Sequence, residues 1–167
     1  PILEHTLTSL SPHVDAFVIV VGYMSDLVKA AFGDSFDGKP IEYVIQDQQL
    51  GTGHALSITE KFIKTDSFFL TYGDDIYEPS IFSEAVKHER CIVGKISKDW
   101  HLFGVLHSNE QGRLENIIEK PKEFVGDAVN IGIYLLDKNV FKYFEQTKLS
   151  IRGEYELTDI VTLYSRD

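Results

Sequence analysis

The stretch FVIVVGYMSDLVKAAFG at residues 17–33 decides the class of fold. It opens with a run of strand formers and continues with apolar residues at the i, i+3, i+4, i+7 and i+8 spacing of one helix face. These residues are Met24, Leu27, Val28, Ala31 and Phe32. Gly33 follows where a helix C-cap belongs. The stretch therefore predicts a strand, a helix and a stop.

The same unit recurs along the first half of the chain. A strand at 41–45 precedes an amphipathic stripe over 55–63, and a strand at 67–72 precedes a helix face over 81–86. A further helix is predicted over residues 3–10, before Ser11-Pro12. Such alternation predicts right-handed crossovers and a Rossmann-like, three-layer αβα fold with a mostly parallel, mixed sheet.

After residue 90 the pattern changes to strands joined by short polar turns. The predicted strands are 92–96, 103–107, 113–119 and 130–136. Asn109 to Gly112 suits a hairpin turn, Phe141 and Phe144 suit a short helix, and a last helix is predicted from Leu157 to the C-terminus. The second half is thus a β-rich extension covering one edge or mouth of the sheet.

Composition narrows the class of partner. The chain has 167 residues, 43% of them hydrophobic, and a formal net charge of -10. That charge disfavours nucleic acid and anionic membranes as partners, but a small anion needs only a local pocket. A single cysteine, Cys91, cannot form an intrachain disulfide, and the longest apolar run, 16–24, is too short to span a bilayer. We therefore expect a cytoplasmic protein.

Ligands of open α/β sheets bind beyond the carboxyl ends of the strands, so the loops there are the first candidates. Residues 46–55, QDQQLGTGHA, join a strand to a helix through two glycines. The amide of Gln46, with backbone groups, can match the acceptor, donor, acceptor edge of uracil or thymine. A plain tight turn explains the glycines equally well, and His54 suits a packing or capping role.

The second candidate is Tyr72-Gly73-Asp74-Asp75, directly after an apolar strand. A carboxylate there is well placed to hold Mg²⁺, which binds one or two carboxylates together with phosphate oxygens. The alternative is that Asp74 or Asp75 caps the next helix. We expect a metal role for Asp74 and a structural or supporting role for Asp75.

The third candidate lies in the β-rich half. It comprises Phe103-Gly104-Val105, Ile118-Glu119-Lys120-Pro121 and Asn130-Ile131-Gly132-Ile133-Tyr134. Together these segments offer a carboxylate, an ammonium and an amide, the groups that grip sugar hydroxyls and a phosphate. Each has a plainer interpretation: Glu119-Lys120 as a solvated pair, Asn130 as a turn residue, and Gly104 as a bulge.

In order and spacing, these segments resemble the sugar-1-phosphate nucleotidylyltransferase family over essentially the whole chain. The stretch QLGTGHA at 49–55 looks most like UDP-N-acetylglucosamine pyrophosphorylases. Glu119-Lys120-Pro121 and the ELTD stretch at 156–159 look equally like glucose-1-phosphate thymidylyl- and uridylyltransferases. The resemblance implies a nucleotide-diphospho-sugar transferase-like fold, in which 1–90 bind the nucleotide and 91–167 bind the sugar and add the last helix.

The resemblance also implies an activity: a nucleotidyl group passes from UTP or dTTP to glucose- or N-acetylglucosamine-1-phosphate, with Mg²⁺, and pyrophosphate leaves. It implies nucleotide binding by Gln46, Gly51, Thr52, Tyr72 and Gly73. It implies sugar binding by Gly104, Glu119 and Asn130. It implies catalytic roles for Asp74, which holds the metal, and for Lys120, which lies near the sugar phosphate.

One departure from the family pattern limits these expectations. The sequence lacks the Gly-rich loop with Arg and Pro-Lys that follows the family's first strand, and it ends before a second metal-binding Asp. We therefore expect a single incomplete domain over 1–167, truncated at both ends, inactive alone, with two exposed strand edges that would suit a homo-oligomer. A non-catalytic sugar-nucleotide-binding or regulatory relative is the alternative, and an unrelated Rossmann-like scaffold is a third.

Overall fold

Two β-sheets and the helices around them make up residues 1–166, which the computed structural model describes. The α-helices are α1 Ile2–Leu10, α2 Ser25–Phe32, α3 Thr52–Ser57, α4 Pro79–Ala85 and α5 Leu157–Tyr164. The strands are β1 Phe17–Val21, β2 Ser35–Phe36, β3 Lys39–Ile45, β4 Ser67–Thr71, β5 Cys91–Ile96, β6 Gly104–Ser108, β7 Leu114–Glu119 and β8 Ala128–Asp137. Short 3-10 helices cover Ser11–His13, Trp100–Leu102 and Lys138–Gln146.

The smaller sheet has the order β1-β3-β2 and contains the predicted first unit. β1 and β3 are parallel, and Gly33 ends α2 between them with a φ of 64°. β2 returns antiparallel on β3 through Asp37 and Gly38, whose φ values are 49° and 73°. This hairpin was not predicted, because a strand of two residues shows no periodicity.

The larger sheet has the order β4-β8-β6-β7, with β5 also paired to β8. All of its pairings are antiparallel. The mixed α/β architecture is confirmed, but parallel pairing is confined to β1 and β3 within residues 1–166. β4 and β5 both pair with β8, which arrives from far along the chain, and such a pairing overrides the parallel order that local alternation predicts.

The core has two parts, and β8 joins them. Ile133 packs with Leu7, Phe17 and Phe82, whereas the next residue, Tyr134, packs with α5 on the other side. Successive side chains of a strand point to opposite faces, so one strand can serve both clusters. β8 is therefore the strand that the two parts of the core share.

A groove of about 650 Å³ separates the two sheets. Its sides are β1 and β4, which do not pair with each other, and apolar residues of α1 and α3 line it. Both strands therefore have an open edge facing the groove, in the part of the chain that the structure describes. The two exposed strand edges expected from the sequence are confirmed.

Two boundaries differ from the predictions. α3 ends at Ser57 and gives way to turns, in which the Thr59 hydroxyl donates to the Leu56 carbonyl at 2.6 Å. The last helix, predicted to reach the C-terminus, ends at Tyr164, and Asp167 lies outside the described residues. Of the helices in residues 1–166, none is long and apolar enough to cross a membrane.

Candidate active site

The parallel pair β1 and β3 places the first candidate loop beside Gly22. The Gln46 N–H donates to the Val21 carbonyl at 2.8 Å, so both strands end at the same level. A Cβ built on Gly22 would lie 3.4 Å from Nε2 of Gln49. Gln49 therefore covers the end of β1, and Gln46 begins the loop where parallel strands commonly bind ligands.

The Gln46 side chain is held by its own loop. Its Nε2 donates to the Gly51 carbonyl at 3.1 Å and lies 3.0 Å from Nδ1 of His54. Its Oε1 accepts no hydrogen bond from residues 1–166, and it is not among their sealed unpartnered atoms. Gln46 thus keeps one open acceptor, which suits a base-binding role.

The first glycine of the loop is required by the chain's own packing. Gly51 has a φ of 99°, and a Cβ there would lie 2.6 Å from the Tyr155 carbonyl oxygen and 2.8 Å from Cβ of Glu154. The Tyr155 N–H donates to the Leu50 carbonyl at 2.8 Å, and the Gly53 N–H donates to the Tyr155 carbonyl at 2.7 Å. The loop is therefore fastened to the segment before α5.

Thr52 is partly committed to the same contact. Its Oγ1 accepts a hydrogen bond from the Leu157 N–H at 3.1 Å, in the first turn of α5, where N–H groups lack helical partners. The remaining hydroxyl hydrogen and the backbone of Thr52 are the groups left for a nucleotide. Fold and predicted binding thus share this residue, a dual use that the sequence did not indicate.

Tyr72 follows β4 and packs closely against Gly132 of β8. Gly132 has a φ of 75°, and a Cβ there would overlap Cδ2 of Tyr72 and lie 2.6 Å from its Cε2. The neighbouring Gly73 packs on α1, where its Cβ position is 3.4 Å from Cδ1 of Leu3. The second candidate loop is thereby fixed between β8 and the first helix.

Asp74 and Asp75 are both exposed on this loop. α4 begins at Pro79 with Glu78 as its N-cap, so the capping alternative for the two aspartates is wrong. The Asp75 carbonyl accepts from the Thr6 hydroxyl at 3.0 Å, a structural contact made through the backbone. The Asp74 carboxylate forms no hydrogen bond or ion pair with the residues that the structure describes.

No group of three or more His, Cys, Asp or Glu residues is arranged to hold a metal within residues 1–166. Asp74 therefore offers a single carboxylate. That donor fits Mg²⁺, which keeps several waters and commonly binds one or two carboxylates together with substrate phosphates. It does not fit a metal that needs a complete cage of protein ligands.

The structure brings Gly104, Glu119 and Asn130 together. Gly104 lies opposite Glu119 in the β6 and β7 ladder, and its Cβ position is 3.0 Å from Oε2 of Glu119 and 3.9 Å from Cβ of Asn130. The missing side chain leaves space between a carboxylate and an amide. Gly104 is not a bulge, because the register shifts only between His107 and Ser108.

Hydrogen bonds within β8 hold the Asn130 amide of this group. Oδ1 of Asn130 accepts from the Gly132 N–H at 2.9 Å, and its Nδ2 donates to the Tyr134 hydroxyl at 2.7 Å. The Tyr134 and Tyr72 hydroxyls lie close enough that each influences the pKa of the other. Burial raises the pKa of both tyrosines, and nearby Glu119 raises them further, so both hydroxyls stay neutral.

Tyr134 belongs to the third candidate segment, but no role of its own was predicted for its side chain. The alternation of side chains along β8 places Tyr134 on the same face as Asn130 and Gly132. That shared face was the available signal. Asn130, predicted to bind sugar and also readable as a turn residue, lies within β8, so the turn interpretation is wrong.

Lys120 has an unusual backbone and an exposed side chain. Its φ is 41°, and its N–H donates to the Phe103 carbonyl at 3.0 Å, closing the turn after β7. Glu119 and Lys120 do not pair with each other among the ion pairs of residues 1–166. Both side chains are exposed, so their solvated position agrees with the plainer interpretation, although they form no ion pair with each other.

A second cation lies near Glu119 and was not predicted. Arg152 donates from Nη2 to Oε2 of Glu156 at 2.8 Å and from Nε to Oε1 at 3.2 Å. The hydrogen bond and charge of Glu156 raise the Arg152 pKa, and Glu154 and Glu119 add to the effect. The carboxylates of this region thus have a permanent positive charge beside them.

The groove between the sheets includes only part of the predicted site. Of the predicted site residues, only Thr52, Tyr72 and Gly73 line the groove between the sheets. Tyr72 nevertheless lies within electrostatic reach of Asp74, Glu119 and Glu156. Tyr72 is therefore the residue at which the second and third candidate groups meet.

Comparison with known proteins identifies relatives over almost the whole chain. The family model described as nucleotidyl transferase matches residues 1–167. The bifunctional protein GlmU of Methanococcus maripaludis strain S2 is 37% identical over 161 residues, which are 95% of this chain and 38% of that protein. The chain thus spans well under half the length of that relative.

Two other relatives have names that state a reaction. UTP--glucose-1-phosphate uridylyltransferase AglF of Haloferax volcanii is 32% identical over 177 residues, covering 99% of this chain and 71% of that protein. Glucose-1-phosphate thymidylyltransferase of Neisseria meningitidis is 31% identical over 160 residues, covering 92% of this chain and 56% of that one.

Solved structures agree on the fold. A crystal structure from Bacillus anthracis, described as a glucose-1-phosphate thymidylyltransferase in complex with a sucrose, has a TM-score of 0.83 and 30% identity, covering 99% of this chain and 70% of that one. A UDP-glucose pyrophosphorylase structure superimposes with a TM-score of 0.82 at 18% identity and supports the fold alone. This chain belongs to the nucleotidyl transferase family, among its sugar-1-phosphate nucleotidylyltransferases.

Proposed function

We propose that this chain carries the base- and sugar-binding part of an enzyme that transfers a nucleotidyl group from UTP or dTTP to a sugar-1-phosphate. The observation that carries the proposal is the meeting of Gly104, Glu119 and Asn130, with the Asn130 amide held by the Tyr134 hydroxyl. An amide and a carboxylate around a missing side chain suit sugar hydroxyls. The names of the relatives support the class of reaction.

The chemistry needs positioning more than a reactive side chain. An oxygen of the sugar phosphate attacks the α-phosphorus of the triphosphate, a new P–O bond forms, and the bond to the pyrophosphate oxygen breaks in line. Gln46 and the Gly51 loop hold the base, while Glu119 and Asn130 hold the sugar. Lys120 lies near the sugar phosphate and offsets its charge. No covalent intermediate is required.

Mg²⁺ is the proposed cofactor, held by Asp74 together with phosphate oxygens. When bound, it neutralises charge on the phosphates. The proposed sugars are glucose- and N-acetylglucosamine-1-phosphate, which the relatives do not separate. The relatives give no support to the non-catalytic alternative. Nucleic acid and membranes are not proposed as partners, and a cytoplasmic location and homo-oligomers stay predictions.

Calorimetric titration tests the base site without requiring turnover. With UTP, dTTP, CTP, ATP and GTP in Mg²⁺, followed by UDP- and dTDP-sugars, we expect selective binding of the uridine and thymidine compounds. Gln46→Ala should weaken that binding by about tenfold, because one hydrogen bond to the base is lost. Gln111→Ala, on the hairpin turn between β6 and β7, is the matched control. Equal binding of all five triphosphates by folded protein would contradict the proposal.

Asp74→Asn tests the metal site. The substitution removes the charge and keeps the shape, so we expect it to lose most of the increase that Mg²⁺ gives to UTP affinity, about tenfold or more. Uridine, which has no phosphate, should bind both proteins alike. Asp75→Asn on the same exposed loop is the control. If both variants respond equally to Mg²⁺, Asp74 has no special role.

A further inference from the structure

His54 contacts the proposed base-binding residue but has no part in the function proposed above. Its Nδ1 lies 3.0 Å from Nε2 of Gln46, and the ring is half-buried at the start of α3. The only other hydrogen bond of Nε2 goes to the Gly51 carbonyl at 3.1 Å, among residues 1–166. The amide nitrogen therefore lies between two neighbouring groups of its own loop.

The Gly51 carbonyl decides the direction of both bonds. A carbonyl oxygen only accepts, so the amide atom facing it is the nitrogen, with its two hydrogens. One hydrogen goes to Gly51, and the other points to Nδ1 of His54. That ring nitrogen therefore accepts, and the proton of the neutral imidazole is carried by Nε2.

These two hydrogen bonds also decide which atom of the Gln46 amide a ligand can reach. With both Nε2 hydrogens engaged by the protein, Gln46 offers a ligand only its Oε1, which accepts nothing from residues 1–166. Turning the amide over would break two hydrogen bonds and place an oxygen against the Gly51 carbonyl. Gln46 is therefore fixed as an acceptor toward any base that reaches it.

An acceptor at this place distinguishes the pyrimidines. Uracil and thymine carry a hydrogen on ring nitrogen N3, whereas N3 of cytosine carries a lone pair. A base held with N3 toward Oε1 gains a hydrogen bond if it is uracil or thymine, and it meets lone-pair repulsion if it is cytosine. Selectivity thus depends on what holds the amide of Gln46.

We infer that His54 is a positioning residue, which sets base selectivity by holding Gln46 as an acceptor and so favours uracil or thymine over cytosine. The inference rests on the proposed function, because it assigns Gln46 to the base. It adds a residue that neither touches the ligand nor takes part in the transfer. Its effect is on the choice between nucleotides, not on general affinity.

Two variants of His54 distinguish its hydrogen bond with Gln46 from the packing of its ring. Asn in His54→Asn can place its side-chain oxygen near the position of Nδ1 and restore the acceptor, while Phe in His54→Phe keeps a ring and removes the acceptor. The probes are UDP and CDP, titrated by calorimetry in mildly alkaline buffer. For the unchanged protein we expect UDP to bind about tenfold to a hundredfold more tightly than CDP.

In His54→Phe the ratio should fall by about tenfold, because turning the amide toward cytosine then breaks one hydrogen bond instead of two. His54→Asn should keep most of the ratio. If His54→Phe weakens UDP and CDP by the same factor, His54 only supports the loop and the inference is overturned. Should His54→Phe not fold, His54→Leu serves in the same comparison.

An independent measurement needs no nucleotide. Exchange of the Gln46 side-chain amide hydrogens with water, followed by NMR, should be slow for both hydrogens in the unchanged protein and in His54→Asn. In His54→Phe one hydrogen should exchange faster. Slow exchange in a protein that binds no nucleotide would refute the proposed base site, but it would still support the hydrogen bond between Gln46 and His54. Uridine-selective binding with an unchanged ratio in His54→Phe would refute the inference alone.

Discussion

Gly132→Ala is expected to lower the free energy of unfolding by about 2–5 kcal/mol. The left-handed backbone at this position, with a φ of 75°, costs an alanine about 1–2 kcal/mol. The new methyl group would also overlap Cδ2 of Tyr72, and overpacking of this kind adds about 1–3 kcal/mol. Chemical denaturation followed by tryptophan fluorescence of Trp100 measures the change.

Gly153→Ala is the matched control. Gly153 has the same φ of 75°, but a Cβ there meets nothing within 4 Å. It should cost only the backbone contribution, about 1–2 kcal/mol. The difference between the variants isolates the contact between Gly132 and Tyr72. Equal losses would mean that the Tyr72 ring moves aside freely and does not brace β8.

The same variant should separate sugar binding from base binding. The Gly132 N–H donates to Oδ1 of Asn130, so a methyl group forced against Tyr72 at Gly132 would also disturb the Asn130 amide. Binding of UDP-glucose should therefore weaken more than binding of UDP, since only the former needs an oriented Asn130. Gly153→Ala should leave the ratio unchanged.

The parts of the fold that repeat along the chain were predictable from the sequence. β1, α2 and β3 follow local periodicity, and Gly33 ends α2 as expected. The partners of β8 were not predictable in the same way. β4 and β8 pair over a long separation in sequence, and no local pattern states which of several apolar strands meets which. The observed topology therefore differs from the predicted one where paired strands are far apart in the sequence.

The candidate site shows a similar division. Loops after strands indicated where ligand-binding groups lie, and Gly104, Glu119 and Asn130 do meet. Side-chain hydrogen bonding across the fold carried no sequence signal. Thr52 is engaged with Leu157, and Gly51 is shaped by Tyr155, because α5 packs against α3. A residue type at a loop indicates what a side chain can do, but its neighbours decide which atoms remain available.

Phe82→Ala is expected to be the other severe substitution, lowering the free energy of unfolding by about 3–5 kcal/mol. Phe82 on α4 has no exposed surface, and its ring meets Phe69 and Tyr77 edge to face at centroid distances of 5.4 and 6.1 Å. Removing it leaves a cavity between α4 and β4. Because small domains have total stabilities of about 5–15 kcal/mol, the variant would lie near unfolding.

Phe124→Ala tests whether this loss comes from burial. Phe124 is 66% exposed and touches the Trp100 ring edge to face at 5.4 Å, so its removal should cost about 0.5–1.5 kcal/mol. Thermal melts of both variants, monitored by far-ultraviolet circular dichroism, provide the comparison. A larger loss for Phe124→Ala would mean that the aromatic cluster around Phe82 is not the main support of α4. In that case the residues around Phe82 would have moved into the space left by its ring, helped by the groove beside β4.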